Sequence, residues 1–358
     1  MSYFASIDQG TTSSRFIVFD EKGKVVAQHQ EEFPQYLPDN VSVEHSPEEI
    51  WISVENCINE VLKKVKKEEI QSIGITNQRE TTIAWSKSSG ESLCNAIVWQ
   101  DTRTQKICDD IEQKKELETE FNSTGLPIST YFSLSKIIWM MENVEAVQTA
   151  LPKGDVCFGT VDSWLLFKLT NKFLTDVTNA SRTLMYDINK LDWNDTILES
   201  FNIPRSALAE VRPSLSLFGN CVGSLEGVPI TAVLGDQQAS LFGQNCINKG
   251  GVKNTYGTGC FALTNTGNEV IQSKNGLLST IAYQYGDHKP FYALEGSVAI
   301  AGAAVQWVRD NLGLIKESSE IESLAIESED NGDVYFVPAF SGLFSPHWDQ
   351  SALSLIHI

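Results

Sequence analysis

Two polar stretches of the chain contain residue types that suit phosphate chemistry, and the first lies near the amino end. Here Asp8 is followed by a glycine, by the hydroxyl residues 11–14 and by Arg15. Backbone N–H groups and hydroxyls donate hydrogen bonds to phosphate oxygens, and an aspartate at a strand end suits a hydrated Mg²⁺. A polar hairpin with an Asx turn explains the same residues equally well.

The second stretch is Gly235-Asp236-Gln237-Gln238, which follows the apolar run Val228–Leu234 and precedes a helical pattern ending near Phe242. Open α/β sheets bind ligands at the carboxyl ends of their parallel strands. An aspartate there suits a general base or a metal partner, although capping a helix is the commonest role of such a residue. The sequence leaves these three roles of Asp236 open.

Two further clusters suit a polyol. Arg79 and Glu80 follow the apolar run Ile70–Thr76, and together they offer donors and acceptors to hydroxyl groups. An exposed ion pair, which contributes little to stability, is the simpler interpretation of these two charges. Trp99 is either a core residue or one wall of a binding site, and the Tyr131 hydroxyl is either a ligand contact or a structural hydrogen bond.

The elements that must position these residues follow an α/β pattern. Three β-type runs at the start predict a meander, and a capping box at residues 46–49 begins a helix with apolar residues at helical spacing. The predicted strands are Tyr3–Ile7, Arg15–Asp20, Val25–Gln30, Ile70–Thr76, Thr81–Ser86, Ala96–Trp99 and Val228–Leu234, and the further helices are Thr104–Phe121 and Ser133–Val147. Together these elements predict a layered α/β domain.

The segment Val252–Leu263 repeats the pattern of the opening, because glycine and threonine residues again form a turn between two β-type runs. This weak internal repeat predicts a second domain of related topology that begins near Gly250. Ala293–Gly296 then leads into a helix rich in small residues. Such a helix either packs tightly on a neighbour or lets a flat ligand lie against it.

Composition limits the classes of function. The chain has 358 residues, more than one hydrophobic core usually supports, so two domains are expected. Its formal net charge of −19 disfavours binding to nucleic acid or anionic membranes. We expect no signal peptide and no membrane span, and the seven scattered cysteines indicate a reducing cytoplasm. The phosphate-loop motif of P-loop NTPases and the glycine motif of Rossmann enzymes are both absent.

Read in order, these stretches resemble the FGGY carbohydrate kinase family and, within it, the glycerol kinases. The likeness extends from Tyr3 to about Trp348. Its segments are Asp8–Arg15, Gly74–Thr82, Asn179–Thr183, Gly235–Gln238, Asn254–Phe261, Ala293–Gly296 and Gly302–Trp307. The Asn-Gln-Arg-Glu sequence at residues 77–80 is specific to glycerol kinases within the family.

The resemblance implies an α/β fold of two ribonuclease-H-like domains, of the actin and hexokinase type, with a cleft between them. Residues 1–249 would form the N-terminal domain, which binds polyol and phosphate, and residues 250–350 part of the C-terminal domain on the nucleotide side. The implied reaction is ATP-dependent phosphorylation of glycerol to sn-glycerol 3-phosphate in the cytoplasm, with Mg²⁺. A full-length relative would form a homodimer or homotetramer.

The resemblance also implies individual roles. Asp236 would take the proton from the attacking hydroxyl of glycerol, and Asp8 would help to place Mg²⁺. The residues implied to contact glycerol are Arg79, Glu80, Trp99, Tyr131, Asp236, Gln237 and Phe261. The residues implied to contact the nucleotide are Thr11, Thr12, Ser13, Arg15, Thr258, Gly302 and Gln306.

The family's chains continue past residue 358 with a glycine-rich segment that holds adenine. We therefore expect an incomplete second domain, a non-native tail at residues 351–358, a strand at Val334–Val337 without neighbours, and an inactive fragment. Two other readings stay open: another FGGY sugar kinase, such as a pentulose kinase, and a catalytically silent actin-like binding module. Arg79 and Glu80 favour the smaller polyol.

Overall fold

A computed structural model describes residues 2–340, 342–350 and 352 of the chain. Its strands are β1 (Tyr3–Gln9), β2 (Ser13–Asp20), β3 (Val25–Glu32), β4 (Glu44–His45), β5 (Ile70–Asn77), β6 (Thr82–Ser86), β7 (Ala96–Ile97), β8 (Val156–Thr160), β9 (Leu174–Asp176), β10 (Tyr186–Asp187), β11 (Asp192–Trp193), β12 (Glu210–Arg212), β13 (Gly219–Asn220), β14 (Pro229–Gly235), β15 (Val252–Tyr256), β16 (Cys260–Gly267), β17 (Leu278–Tyr283) and β18 (Phe291–Val298). Its α-helices are α1 (Pro47–Leu62), α2 (Gln105–Glu112), α3 (Glu118–Ser123), α4 (Ser133–Asn143), α5 (Glu145–Ala150), α6 (Val161–Thr170), α7 (Val177–Ala180), α8 (Asp195–Ser200), α9 (Asp236–Gly243), α10 (Gly302–Asp310) and α11 (Glu320–Glu327). Among the residues described, no helix is both long and apolar enough to cross a membrane.

The central sheet has the strand order β13-β14-β5-β1-β2-β3. Strands β1, β2 and β3 form the predicted antiparallel meander, whereas β1, β5 and β14 run parallel to one another. Parallel strands need a crossover, and α1 lies between β3 and β5 in the chain. The carboxyl ends of β1, β5 and β14 therefore lie side by side at one edge of the sheet.

Helix α1 packs one apolar face on this sheet. The side chain of Ser46 accepts a hydrogen bond from the N–H of Glu49, which is one half of the predicted capping box, and Pro47 occupies the first turn. The Glu49 carboxylate accepts from the hydroxyl of Tyr36 instead. Its residues Ile50, Val54 and Val61 are at most 1% exposed. They join a core that also contains the inward side chains of the central sheet and of α6.

A second sheet, β4-β7-β6-β8, and a third, β15-β16-β18-β17, complete the main layers. In the third sheet every neighbouring pair is antiparallel, and β15 and β16 form the second predicted hairpin. The larger hydrophobic core takes side chains from both sides of the predicted boundary near Gly250, for example Trp99 and Leu184 together with Phe261 and Tyr292. The predicted domain boundary near Gly250 stays a prediction.

Several predicted elements differ from the observed ones. The predicted helix at residues 104–121 is interrupted between α2 and α3, because residues 112–116 contain no apolar side chain to continue the stripe. Strand β18 extends to Val298, so the small-residue helix α10 begins only at Gly302. The predicted strand at Val334–Val337 is irregular, and its four side chains are exposed. The predicted tail at 351–358 lies outside the described residues, except for Ala352.

Two buried carboxylates lie close together beside the central sheet. The Asp162 carboxylate accepts hydrogen bonds from the hydroxyls of Thr160 and Thr175, at 2.5 and 2.7 Å. The nearby Asp176 caps α7 by accepting the N–H groups of Thr178 and Asn179, each at 2.9 Å. Burial, reinforced by the negative charge of Asp176, raises the pKa of Asp162 to about 7.

This raised pKa predicts how stability changes with pH. The folded chain binds a proton at Asp162 that the unfolded chain releases near pH 4, so stability falls as pH rises toward 7, by up to about 1.4 kcal/mol per pH unit. We expect the substitution Asp162→Asn to remove this slope. Urea unfolding of both proteins between pH 5 and 8 measures the difference.

The same substitution at the exposed Asp287 provides the control, and it should leave the pH dependence unchanged. Parallel stability curves for the native chain and D162N would show that Asp162 is not the titrating group.

Candidate active site

The edge formed by β1, β5 and β14 brings the predicted site residues together. Gln9 lies opposite Asn77, and Asn77 lies opposite Gly235, so the segments that follow these strands share one cavity of about 140 Å³. The cavity is lined by Thr11, Gln78, Arg79, Glu80, Trp99, Tyr131, Asp236, Gln237, Thr255, Gly257, Thr258, Gly259 and Phe261. Every residue predicted to contact glycerol lines it, as do two of those predicted to contact the nucleotide.

Four charged side chains, which we call the ion cluster, meet at one wall of the cavity: Arg79 and Glu80, which line it, and Arg182 and Glu295, which lie behind them. Arg79 donates from both terminal nitrogens to Glu295, at 2.6 and 2.8 Å. Arg182 donates to Glu80 at 2.6 Å and to Glu295 at 3.1 Å. None of the four is more than 3% exposed, so the interpretation of Arg79 and Glu80 as an exposed ion pair is wrong.

The two arginines of the ion cluster favour the ionised form of its two glutamates. Burial raises the pKa of Glu80, and Arg79 and Arg182 offset part of this rise. Burial acts on Glu295 in the same direction, but Arg182 and Arg79 outweigh it and hold the pKa of Glu295 at about 2. Since buried charges need partners, each member depends on the others.

The backbone at Glu80 turns both charged residues toward the cavity. In a regular strand, Arg79 and Glu80 would point to opposite faces, but Glu80 has a φ of 61°, in the left-handed region. The ammonium of Lys136, which is fully buried, donates to the Glu80 carbonyl at 3.1 Å and to the Tyr131 carbonyl at 2.7 Å. Ser133 also donates to the Glu80 carbonyl, at 3.4 Å. These contacts hold the unusual backbone in place.

Asp236 is the first residue of α9, and Gly235 takes the capping position. The side chain of Asp236 is 36% exposed and faces the cavity, with one oxygen 3.5 Å from Nε of Arg79. Its two oxygens accept hydrogen bonds from the N–H and the side-chain amide of Gln237, at 2.8 and 3.1 Å. Burial raises the pKa of Asp236, and Arg79 offsets part of the rise. The carboxylate is thus placed to accept a proton from a bound hydroxyl.

Three aromatic side chains form an apolar wall of the cavity. The Trp99 ring lies edge-on to Tyr131 and Phe261, with ring centres 5.9 and 6.1 Å apart. Nε1 of Trp99 donates to the hydroxyl of Thr11 at 3.0 Å. This bond connects the wall to the turn between β1 and β2. The wall suits the carbon skeleton of a small polyol, whose hydroxyls would face the charged side.

The turn between β1 and β2 places only one of its predicted residues on the cavity. Thr11 lines the cavity, Thr12 is exposed, and the hydroxyl of Ser13 accepts a hydrogen bond from Gln30 at 2.8 Å. Arg15 donates to the same Gln30 side chain at 2.7 Å and lies opposite Asp8 in the strand pair. Burial raises the pKa of Asp8, and Arg15 offsets part of this rise.

The turn between β15 and β16 faces the same cavity and supports α10. Gly302 donates its N–H to the carbonyl of Gly257 at 2.9 Å. A Cβ at Gly302 would lie 2.6 Å from that oxygen, and one at Gly259 would lie 2.5 Å from the Val298 carbonyl. Both positions therefore require glycine. Neither Gly302 nor Gln306, which is exposed on α10, lines the cavity.

Sequence reasoning missed several residues that shape the site. Glu295 and Arg182 complete the ion cluster, Lys136 fixes the backbone of Glu80, and Lys253 contacts Gln237 at 2.6 Å. The sequence pattern could have identified Glu295, because it is a lone carboxylate in an apolar strand and so requires a buried partner. No sequence pattern identifies the two lysines, because their partners are mostly carbonyl or amide oxygens.

Comparison with known proteins gives matches along most of the chain. The model of the N-terminal domain of the FGGY family of carbohydrate kinases matches residues 3–243, and the model of the C-terminal domain matches residues 252–357. A glycerol kinase of Brucella anthropi is 52% identical over 362 residues, covering 99% of this chain and 72% of the relative. A glycerol kinase of Roseiflexus sp. is 48% identical over 361 residues, with the same coverage of 99% and 72%.

Solved structures agree with these matches. The glycerol kinase of Plasmodium falciparum with ADP superposes with a TM-score of 0.87 and 39% sequence identity, over 99% of this chain and 72% of that chain. A gluconate kinase of Lactobacillus acidophilus gives a TM-score of 0.84 over 98% of this chain and 71% of that chain. Its sequence identity of 21% supports a shared fold and nothing more.

The ion cluster predicts a large effect of one substitution. The change Glu295→Gln leaves Arg79 and Arg182 buried with one negative charge fewer, and breaking buried ion pairs typically costs about 3–5 kcal/mol. We expect a loss of that order in the free energy of unfolding, measured by urea titration at pH 7.

A matched control is Glu269→Gln, because Glu269 pairs with Lys249 at the surface and the change should leave the free energy of unfolding almost unaltered. Equal losses for the two variants would show that the ion cluster is not a stabilising unit.

Proposed function

Because the chain belongs to the FGGY family of carbohydrate kinases, we propose that it transfers the terminal phosphoryl group of ATP to a terminal hydroxyl of glycerol. The predicted resemblance to glycerol kinases is confirmed by relatives at 47–52% identity that match 98–99% of the chain. The two-domain fold of the actin and hexokinase type is confirmed as well. The single observation that carries the proposed chemistry is the position of Asp236, in a cavity walled by Arg79, Glu80 and aromatic rings.

Glycerol would lie between the charged side of this cavity and the aromatic wall. Arg79 and Glu80 offer a donor and an acceptor in fixed positions, since the ion cluster holds both side chains. A site with fixed polar groups rejects compounds that leave them unpaired, by about 10⁴-fold or more in favourable cases. The Tyr131 hydroxyl and the Gln237 amide would supply further hydrogen bonds. This division of polar and apolar walls supports a short polyol as the substrate.

Asp236 would act as the general base. Phosphoryl transfer depends mainly on positioning and on the stabilisation of charge, so a single carboxylate next to the hydroxyl is sufficient protein chemistry. The raised pKa makes this carboxylate a better proton acceptor than an ordinary aspartate, while Arg79 at 3.5 Å favours its ionised form. The proton of the attacking hydroxyl would thus pass to Asp236 as the new O–P bond forms and the bond from the terminal phosphorus to the leaving ADP oxygen breaks.

The nucleotide would lie against the two glycine-containing turns, because both face the cavity at Thr11 and Thr258. Asp8 suits Mg²⁺, since its partly buried carboxylate lies at the end of β1 and this ion needs only one or two carboxylates. When bound, Mg²⁺ neutralises phosphate charge and orients the transferred group. Contacts of Thr12, Ser13, Arg15, Gly302 and Gln306 with the nucleotide stay predictions, as do the cytoplasm and the assembly state.

The expectation of an inactive fragment is not borne out by the comparisons. The chain spans 72% of its glycerol kinase relatives, and the family's C-terminal model matches up to residue 357, within the predicted non-native tail. The residues that this proposal assigns to glycerol are all present and lie together. ADP release in the presence of glycerol therefore measures directly whether the chain phosphorylates glycerol.

The role of Asp236 predicts a selective loss of turnover. The substitution Asp236→Asn keeps the size of the side chain but removes the proton acceptor, so kcat should fall by about 10²- to 10⁴-fold while the KM for glycerol changes little. ADP release in the presence of glycerol, ATP and Mg²⁺ measures both constants. D287N, at an exposed position, is the control and should match the native rate; a D236N variant with native kcat would exclude the proposed base.

A substrate comparison separates the remaining alternatives. We expect ADP release with glycerol and only background release with D-xylulose, because the cavity has fixed polar groups placed for a short polyol. Faster turnover of the pentulose would favour the pentulose kinase reading. Binding of glycerol, measured by titration calorimetry, without any phosphorylation would favour the silent binding module.

A further inference from the structure

Lys253 lies directly behind the cavity without lining it. It is on β15 and only 5% exposed, and burial lowers the pKa of its ammonium to about 8. The ammonium donates to Oε1 of Gln237 at 2.6 Å, to the hydroxyl of Thr255 at 2.8 Å and to the carbonyl of Phe261 at 3.2 Å. All three acceptors belong to residues that line the cavity. An ammonium has three donors, so this geometry uses each of them.

The contact with Lys253 determines how the amide of Gln237 is oriented. Because Oε1 accepts from the ammonium, the amide nitrogen must face the other way, where it donates to Oδ2 of Asp236 at 3.1 Å. The backbone N–H of Gln237 donates to Oδ1 of Asp236 at 2.8 Å. A hydrogen bond from a charged donor is about twice as strong as a neutral one, which favours this amide orientation over the reverse. In the reverse orientation, Oε1 would face the carboxylate and repel it.

We propose that Lys253 is a positioning residue for phosphoryl transfer, which acts by fixing the amide of Gln237 and, through it, the carboxylate of Asp236. This inference rests on the proposed function, in which Asp236 is the base. Lys253 also connects two parts of the chain, since it lies on β15 of the third sheet while Asp236 and Gln237 begin α9 beside the central sheet. The third sheet thereby sets the orientation of a base that lies at the start of α9, beside the central sheet.

The charges around Asp236 indicate what loss of Lys253 would do to its titration. Arg79 lies at 3.5 Å, with Glu80 and Glu295 beyond it in the ion cluster, and Lys253 acts from the β15 side. Arg79 and Lys253 favour the charged carboxylate, whereas Glu80 and Glu295 disfavour it. Removing Lys253 takes away a positive charge and the fixed amide donor together. The pKa of Asp236 should then rise, and the acidic limb of the pH–kcat profile should move to higher pH.

The test compares Lys253→Met with Lys249→Met, the same substitution at an exposed lysine four residues earlier. We expect kcat for glycerol phosphorylation to fall about 10²-fold in K253M, since small misplacements of a catalytic group have effects of this size. The KM for glycerol should change much less, and the acidic limb should move up. K249M should behave as the native chain in all three respects. K253M with the native kcat and pH profile would overturn the proposal, even if the variant is less stable.

A double-substitution cycle tests whether Lys253 acts through Gln237. If it does, K253M should have little further effect on kcat in a Gln237→Met background, whereas independent effects would multiply and so contradict the proposal. If K253M does not fold, as judged by circular dichroism, Q237M alone must lower kcat and shift the acidic limb, and a native profile in Q237M would overturn the idea. The native chain and D236N, measured in parallel, separate the two levels. No ADP release with glycerol from the native chain removes the proposed function, and a native kcat in D236N removes the proposed base. A native profile in K253M or Q237M removes only this inference.

Discussion

The arrangement of the site depends on the ion cluster, in which four charged side chains are removed from water. Two arginines and two glutamates balance in charge, and the bidentate contact of Arg79 with Glu295 joins residues 216 positions apart in the sequence. Withdrawing such charges from water is costly, so they are tolerated only where every partner is in place. Once the third sheet brings Glu295 to Arg79, the guanidinium has a single orientation. In that orientation its remaining nitrogen, Nε, faces Asp236.

The backbone around the ion cluster explains why the adjacent residues Arg79 and Glu80 both face the cavity. A strand that continued past Asn77 would send Arg79 and Glu80 to opposite sides, and only one of them would reach the cavity. The left-handed conformation of Glu80 breaks this alternation, and such a conformation persists where surrounding contacts over-determine it. The contacts from Lys136, Ser133 and the Thr82 hydroxyl to the Glu80 carbonyl have this role. Buried donors thus stabilise the strained backbone of Glu80, which directs the side chains of Arg79 and Glu80 to the same cavity.

The sequence predicted those features that depend on local patterns. The meander, the capped helix α1 and both glycine-containing hairpins follow from apolar periodicity and turn residues, and the apolar runs at β5 and β14 indicated buried parallel strands. The sequence did not predict the partners of Arg79 and Glu80, because Glu295 and Arg182 are brought to them only by the packing of the whole chain. It also misjudged Val334–Val337, where β-type residues are exposed and irregular, since β propensity needs a neighbouring strand to take effect.

The two sides of the cavity differ in the burial of their side chains and in the number of contacts that hold those side chains in place. On the side of the ion cluster, Arg79, Glu80 and Tyr131 are buried, and Glu295 and Arg182 hold the side chains of Arg79 and Glu80. On the side of the turns, Thr12 and Gln306 are exposed, and Ser13 and Arg15 are linked mainly through the single side chain of Gln30. A kinase must present its acceptor in a fixed position and yet admit and release a nucleotide in each cycle. Under the proposed function, a rigid wall at the ion cluster next to more loosely held turns would meet both requirements, because the contacts around Asp236 need not re-form each time a nucleotide leaves.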